Sequence, residues 1–266
     1  MSYALKPERD RLKDNTDGSD YKKRWWQHAK LRESLYAAIA PLSWCLVTAR
    51  VTKHLCFSFH PTNRILNEKL YVFPFETHTP FAVLQSRIHN FWTWLLSSTM
   101  KIDLNYSASD CFETFPFPAE DPRAVIPELE QIGEQLYSAR AAFMLETEQG
   151  LTKTYNALKD PHCTDPRILA LRTQHEQMDA AVLTAYGWSD IPVPPFCIAT
   201  PADRAALQSF EDEILDRLFL LNAERAKKEA ALGRTRGKAV MGKGAGRCRQ
   251  GAQDTTAQAC YLWQGR

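Results

Sequence analysis

Alternating apolar and polar side chains between positions 47 and 59 are the feature that most constrains how this chain can fold. Odd positions are mainly apolar, and even positions carry Thr48, Arg50, Thr52, His54, Cys56 and Ser58. Because successive side chains of a β-strand point to opposite faces, the pattern predicts a strand with one packed face and one polar face. Lys53 interrupts the apolar side, which favours a bend, a bulge or two strands over one long strand.

The segments that follow predict a second strand and then helices. Residues 70–75 have strand character after a turn-rich gap. Thr79 and Pro80 have the residue types of an N-cap and a first helical turn, and apolar residues then recur at helical spacing: Phe81, Leu84, Ile88, Phe91, Trp92 and Leu95. The expected helix ends at Ser97-Ser98-Thr99, before an irregular aromatic stretch at 106–118. Further helices are predicted by the apolar period up to residue 232, with starts at Asp165-Pro166 and Thr200-Pro201 and stops at Gly187 and Gly233.

These patterns predict an α+β fold with four parts. Residues 1–24 are highly charged without an apolar period, which is typical of a linker from an upstream part. Residues 25–118 hold the predicted small mixed sheet and its helix, and residues 119–232 an α-helical region. Residues 233–266 hold seven of the eleven glycines, which indicates a disordered basic tail, either native or the product of a frameshift.

Charge is distributed unevenly along the chain. The net charge is +2, but residues 1–115 carry +4, residues 116–231 carry −8 and the remainder +6. A basic first part is compatible with a polyanion as its partner. The seven cysteines are scattered and never form a CxxC pair, which favours reduced thiols. No apolar run is long enough for a membrane span, so a cytoplasmic protein is expected.

Motifs for methyl-transfer chemistry are not evident. A fold that binds S-adenosylmethionine needs a glycine-rich turn after a strand, and no GxG occurs before the tail. Residues 193–196 read Val-Pro-Pro-Phe and resemble an amino-methylase loop, but valine stands where a polar acceptor is required, so a proline-stiffened connection is the favoured interpretation. His54, Cys56 and His60 would share a strand face without an evident fourth ligand, which favours a polar face over a zinc site.

The remaining candidates are side chains suited to binding. Arg50, Thr52, His54 and Ser58 share the predicted strand face. A second group is expected around the helix end: Arg87, Ser97, Ser98, Thr99 and Lys101. Hydroxyl and cationic groups of this kind contact phosphates and base edges.

A resemblance gives these candidates a context. Short motifs follow one another in a fixed order: Arg24-Trp25-Trp26-Gln27, Leu35-Tyr36-Ala37-Ala38-Ile39, residues 47–54, residues 84–89, Trp92, residues 97–101, Leu104, Tyr106-Ser107, residues 111–118, Leu183, residues 185–188 and residues 221–226. This order resembles the MmeI-like family, the type IIL/IIG fusions of an adenine methyltransferase with a specificity module, and related phage-defence methylases.

The resemblance implies a DNA target-recognition domain at 25–118, followed by helices that pack on a catalytic part. The chain is then expected to recognise duplex DNA for a restriction-modification adenine methyltransferase without holding catalytic residues, a cofactor or a metal itself. The expected partners are double-stranded DNA and the catalytic methyltransferase part of the same system. S-adenosylmethionine is expected to bind in that missing catalytic part. The predicted DNA-binding side chains are Arg50, Thr52, Lys53, His54, Arg87, Ser97, Ser98, Lys101 and Tyr106. Two alternatives stay open: an inert or protein-interaction fragment, and an enzyme whose motifs are not recognised.

Overall fold

The computed structural model of the chain describes residues 5–25 and 32–231. The strands are β1 (Trp44–Ala49), β2 (Val51–Thr52), β3 (Phe57–Pro61), β4 (Leu70–Phe73), β5 (Ser98–Met100) and β6 (Asp103–Asn105). The helices are α1 (Leu5–Asp10), α2 (Thr16–Lys23), α3 (Glu33–Ile39), α4 (His78–Gln85), α5 (Arg87–Leu96), a short π-helix (Ala108–Phe112), α6 (Pro127–Thr147), α7 (Leu151–Lys159), α8 (Pro166–Tyr186) and α9 (Pro201–Ala231). The predicted α+β class is confirmed.

The alternating segment forms three strands. β1 lies at the centre of the first sheet, in the order β3-β1-β4, and pairs antiparallel with both neighbours. The predicted interruption at Lys53 is confirmed, because β2 ends at Thr52 and β3 begins at Phe57. The predicted polar face is wrong for β1, since Thr48 is 2% exposed and donates a hydrogen bond to the Cys56 carbonyl oxygen. Both faces of the central strand are therefore covered.

A second sheet has the order β2-β6-β5. Its strands have two or three residues each, too few for a period that sequence analysis detects. Every strand pairing in the described ranges is antiparallel. The expected mixed sheet is instead two small antiparallel sheets.

The predicted single helix after the strands is two helices. Its N-cap is Thr77 rather than Thr79, and Pro80 lies within the first turn. Ser86 leaves the helical conformation, with φ −66° and ψ 160°, and its hydroxyl accepts a hydrogen bond from the His89 amide. Ser86 thus ends α4 and caps α5, which lets the chain change direction without a glycine or proline.

The C-terminal helices begin where the sequence predicts. The Asp165 side chain accepts the Arg167 amide at the start of α8, and Gly187 ends that helix in the left-handed region at φ 76°, a conformation that favours glycine. α9 starts at Pro201, whereas the predicted stop at Gly233 and the tail lie outside the described residues. None of the described helices is long and apolar enough to cross a membrane.

One hydrophobic core extends across residue 118, the predicted boundary between the two main parts. The same cluster of buried side chains contains Phe57 and Trp92 from the first part and Leu136, Met178 and Ile214 from the second. The division of the chain into four parts therefore remains a prediction, and the core packing is continuous across residue 118. Within the predicted linker the structure places α1 and α2.

Candidate nucleic-acid interface

The sheet β2-β6-β5 presents one face outward. Residues directly opposite each other on antiparallel strands share a face, and the pairs here are Val51 with Asn105, Asn105 with Ser98, and Met100 with Asp103. Val51, Ser98 and Met100 are exposed, whereas Leu104, which points to the other face, is fully buried. We call these five outward residues, Val51, Ser98, Met100, Asp103 and Asn105, the outer face.

The turn between β5 and β6 carries a cation and an apolar side chain into solvent. Lys101 has a φ of 60°, which lies in the region that glycine occupies without strain. Ile102 is 83% exposed. No carboxylate among the described residues forms an ion pair with Lys101, so its ammonium group is available to an anion.

Arg50 links the two sheets at the edge of the outer face. Its amide donates to the Lys69 carbonyl oxygen at 2.8 Å, and its own carbonyl accepts from the Tyr106 amide at 2.8 Å. The exposed guanidinium lies 5.8 Å from the centre of the Tyr71 ring. The backbone bonds hold its position firmly while the charged group stays at the surface.

The chain after β2 packs on α7. Lys53 Nζ and His54 Nε2 both contact Asn156 Oδ1, at 2.8 and 2.9 Å. Burial is the largest cause that lowers the pKa of His54, and the nearby Lys159 and Lys53 add to it. The imidazole is therefore mainly neutral near pH 7. The Thr52 hydroxyl is half-buried and donates to the His54 carbonyl oxygen at 2.7 Å.

Arg87 lies in the core rather than on a DNA-facing surface, which corrects the prediction for this residue. It is 9% exposed, and its Nε donates to Asp179 Oδ2 at 2.6 Å. Its two terminal nitrogens donate to the carbonyl oxygens of Pro195 and Pro194 at 3.0 and 2.8 Å. Arg87 also begins α5, whereas Ser97 follows its end, so the expected cluster at one helix end does not form.

Tyr106 is also buried and needs the same correction. It is 1% exposed, and its hydroxyl lies 3.2 Å from His89 Nε2. Its ring packs against Phe73 and Tyr71. Ser97 is half-buried with its hydroxyl 2.7 Å from the Cys111 sulfur, whereas Ser98 and Thr99 are exposed. The predicted residues that remain accessible are Arg50, Lys53, Ser98 and Lys101, together with the partly exposed Thr52 and His54.

Three residues of this surface were not predicted as binding residues: the exposed apolar residues Met100 and Ile102, and Asn156, which contacts Lys53 and His54. The signal for the first two was two apolar residues flanking Lys101 among short polar side chains. Nothing in the local sequence marks Asn156, since its partners are 102 and 103 residues away. His54, Cys56 and His60 are not brought together as a group of three possible metal ligands, and no other such group occurs in the part of the chain that the structure describes.

The arrangement defines a class of protein: an α+β domain whose small exposed sheet is flanked by cations that form no ion pair with a carboxylate in residues 5–25 and 32–231. Comparison with known proteins places it further. Residues 12–119 match the family model of the MmeI target recognition domain. Over 124 residues the chain is 32% identical to DNA methyltransferase A of Bacillus subtilis (strain 168), a match that covers 46% of this chain and 12% of that protein.

A solved structure of the Type IIL restriction-modification enzyme MmeI in complex with DNA is also similar, at 16% identity and a TM-score of 0.48, over 79% of this chain and 25% of that one. The chain thus spans only a small share of each relative's length. The match of residues 12–119 to the MmeI target recognition domain model confirms the resemblance found in the sequence. The match to the family model begins at residue 12, inside residues 1–24, which were predicted to be a linker.

Proposed function

We propose that this chain recognises duplex DNA and supplies sequence specificity to a restriction-modification adenine methyltransferase. The observation that carries the proposal is the pair of exposed cations, Arg50 and Lys101, which lie beside the outer face and within the segment that matches the target recognition domain model. In this proposal, phosphate contacts set the position of the chain on the duplex and contacts to base edges select the sequence.

The charge distribution supports this assignment. The cations with two carboxylate partners lie in the helical part, where Arg167 pairs with Asp165 and Glu146, and Arg217 with Asp190 and Glu213. By contrast, no described carboxylate pairs with Arg50, Lys53 or Lys101. Unpaired cations on one surface are what a polyanion needs, because each phosphate contact releases condensed counterions from DNA.

The outer face offers the groups that base readout requires. Ser98 Oγ accepts from Asn105 Nδ2 at 2.9 Å, so its hydroxyl hydrogen can still be donated to a base edge. The second amide hydrogen and the oxygen of Asn105 offer one donor and one acceptor. Met100 and Ile102 add apolar surface of the kind that contacts thymine methyl groups. These residues are our proposed specificity surface.

We assign the chemistry of methyl transfer to a catalytic methyltransferase part that this chain serves. That part would bind S-adenosylmethionine and the target adenine, and the chain described here would contribute no catalytic residue. The location proposed for such a DNA-binding protein is the cytoplasm. A fragment that packs on a methyltransferase without binding DNA is the alternative that the next experiment excludes or supports.

Replacing Lys101 or Arg50 by alanine is expected to weaken binding of the full chain to a duplex DNA of random sequence about 3- to 10-fold at moderate salt, because each variant has one fewer cation to bind a phosphate. The slope of log affinity against log salt concentration should fall by ~0.9 for each phosphate that is no longer bound. Fluorescence anisotropy over a salt series measures both quantities. Arg204→Ala, which removes an exposed cation from the first turn of α9, is the matched control and should bind like the unchanged protein.

The outcome that contradicts the proposal is clear. If the full chain is folded by circular dichroism and does not bind duplex DNA at about 50 mM salt, where such contacts are strong, the chain does not recognise DNA by itself. Equal reductions in affinity for Arg204→Ala and Lys101→Ala would also contradict it, since a generic effect of positive charge would then explain the binding.

A further inference from the structure

We propose that Lys53, Lys159 and Asn156 form a phosphate-binding site that takes one phosphodiester group of duplex DNA at the junction of the strand region and α7. The inference rests on the proposed function and extends it, because two of the three residues come from the helical part. The helical part would then contact DNA directly instead of only packing against the two sheets.

Lys53 and Asn156 are 103 positions apart in the sequence and are in contact in the fold. Asn156 on α7 accepts two hydrogen bonds at its side-chain oxygen, from Lys53 Nζ at 2.8 Å and His54 Nε2 at 2.9 Å. The His54 ring lies 6.0 Å from the ring of Tyr155, the preceding residue on α7. Tyr155 is buried and contacts the core residue Arg140 at 3.1 Å. The loop after β2 is therefore attached to a fixed part of the fold.

Lys159 follows Asn156 by three positions on α7, so the two side chains lie on the same face of that helix. The carbonyl groups at the end of α7 are satisfied by Arg172, which donates to the oxygens of Leu158 at 2.9 Å and Ala157 at 3.1 Å. No described carboxylate forms an ion pair with Lys159 or Lys53. Lys159 is thus an exposed cation at the end of α7, without an ion-pair or hydrogen-bond partner among the described residues.

The two lysines repel each other. The pKa of Lys159 is lowered, mainly by desolvation, while the positive charge of Lys53 lowers it further. Both lysines also lower the pKa of His54, and the carboxylate of Asp103 on β6 acts in the opposite direction. Like charges held close together store unfavourable electrostatic energy, which a bound anion would relieve.

The donors at this site match a phosphate group. Asn156 Oδ1 accepts both hydrogen bonds described above, and its Nδ2 has no hydrogen-bond partner in the described ranges. The amide nitrogen and two ammonium groups therefore offer donors only, whereas a phosphodiester oxygen offers acceptors only. Lysine serves phosphate groups as a compact point charge rather than as a reader of base edges. The site should therefore position DNA without reading its sequence.

A double-mutant series on the full chain tests the site. The variants are Lys159→Ala, Lys53→Ala, the combination of both, and Asn156→Asp, each titrated with a random-sequence duplex DNA over a salt series. Both single lysine variants should bind about 3- to 10-fold more weakly. Because one phosphate contacts both lysines, the affinity of the double variant should fall by less than the product of the two single effects, and its salt slope should fall by ~0.9 rather than by twice that amount.

Asn156→Asp separates a binding role from a structural one. Aspartate has the same size and can still accept from Lys53, so thermal stability should be unchanged or higher, yet its charge repels phosphate and affinity should fall at least as much as for Lys159→Ala. Arg204→Ala on α9 is the control for loss of one positive charge and should bind normally.

Two results would overturn the site. If Lys159→Ala and Asn156→Asp bind DNA like the unchanged protein while Arg50→Ala and Lys101→Ala bind weakly, this inference is wrong and the proposed function stands. If the unchanged protein binds no DNA, both are wrong. Strictly multiplicative effects with a doubled change in slope would show two separate phosphate contacts, which also contradicts a shared site.

Discussion

Arg140→Met is expected to lower the free energy of unfolding by at least about 3 kcal/mol, because the substitution removes three hydrogen bonds of a buried charged group, including the one to the Phe57 carbonyl oxygen. Arg140 is 2% exposed. Its Nη2 donates to the Phe57 carbonyl oxygen at 2.7 Å, and its Nη1 donates to Gln85 Oε1 at 3.2 Å and to the Tyr155 hydroxyl at 3.1 Å. The guanidinium also lies 5.3 Å from the ring centres of Phe81 and Tyr137.

Arg140 therefore joins β3, α4, α6 and α7 at one point. Gln85 is part of the same network, since its side chain accepts from the Phe57 amide at 2.9 Å and donates to the Leu55 carbonyl at 3.2 Å. A buried acceptor without a partner costs ~1–3 kcal/mol. Methionine replaces the aliphatic part of the side chain with little change in volume, so the measured destabilisation comes mainly from the missing hydrogen bonds and cation–π contacts.

Chemical denaturation followed by circular dichroism measures this effect. Arg123→Met, which removes an exposed arginine whose pairing with Asp121 spans 3.7 Å, is the matched control and should change stability by less than ~0.5 kcal/mol. If both variants unfold at the same denaturant concentration as the unchanged protein, Arg140 does not hold the strand region to the helices.

The sequence predicted those strands and helix ends that depend on residues close together in the chain. The alternation at residues 47–59 predicted strands with an interruption at Lys53, and the Asp165 and Gly187 signals marked the two ends of α8. Each of these signals depends on near neighbours in the chain, because strand period, helix capping and left-handed turns involve residues only a few positions apart.

The sequence did not reveal contacts between distant segments. Thr48 belongs to a polar series, yet β1 lies between β3 and β4 and its side chain is buried. Ser86 has no special signature inside an apolar helical pattern, but it divides that helix into α4 and α5. For the candidate interface, Arg50 and Lys101 were predicted and are exposed, whereas the partnership of Lys53 with Asn156 spans 103 residues and no local pattern shows it.

Arg87 is another residue whose partner is distant in the sequence, and replacing that partner is expected to have a large effect on stability. The sequence places an arginine near hydroxyl-bearing residues, which suggests that replacing it would weaken DNA binding and leave the fold intact. Its actual partner, Asp179, lies 92 residues away on α8 and is 1% exposed. The structure therefore predicts that Arg87→Ala destabilises the protein, and that any decrease in DNA binding follows from unfolding.

Asp179→Ala is expected to lower the free energy of unfolding by about 3–5 kcal/mol, because a buried guanidinium is then left without its counter-charge. Asp179 accepts from the Arg87 amide at 2.9 Å as well as from Nε at 2.6 Å, so the start of α5 loses a hydrogen bond too. The remaining partners of Arg87 in the described residues are the carbonyl groups of Pro194 and Pro195 and the rings of Phe196 and Phe210, which carry no net charge and do not balance that of the guanidinium.

The pair of Arg217 and Asp190, which is more exposed than the buried pair, provides the control. It has the same residue types, with Nη2 and Oδ2 2.5 Å apart, but 65% of the Asp190 side chain is exposed. Asp190→Ala should therefore cost at most ~1 kcal/mol. Urea denaturation of both variants compares the two positions directly, and similar destabilisation of the two would contradict a special role for the buried pair.

The combined variant Arg87→Met with Asp179→Leu completes the comparison. Replacing both charges by apolar side chains removes the uncompensated guanidinium, and exchanges of this kind are often close to neutral in stability. The combination should therefore be more stable than Asp179→Ala alone, although the two proline carbonyls are left without their donors. DNA binding should return together with stability, since Arg87 is buried in the folded protein. A combined variant that folds as well as the unchanged protein, yet no longer binds DNA, would show instead that Arg87 contacts DNA as the sequence alone suggested.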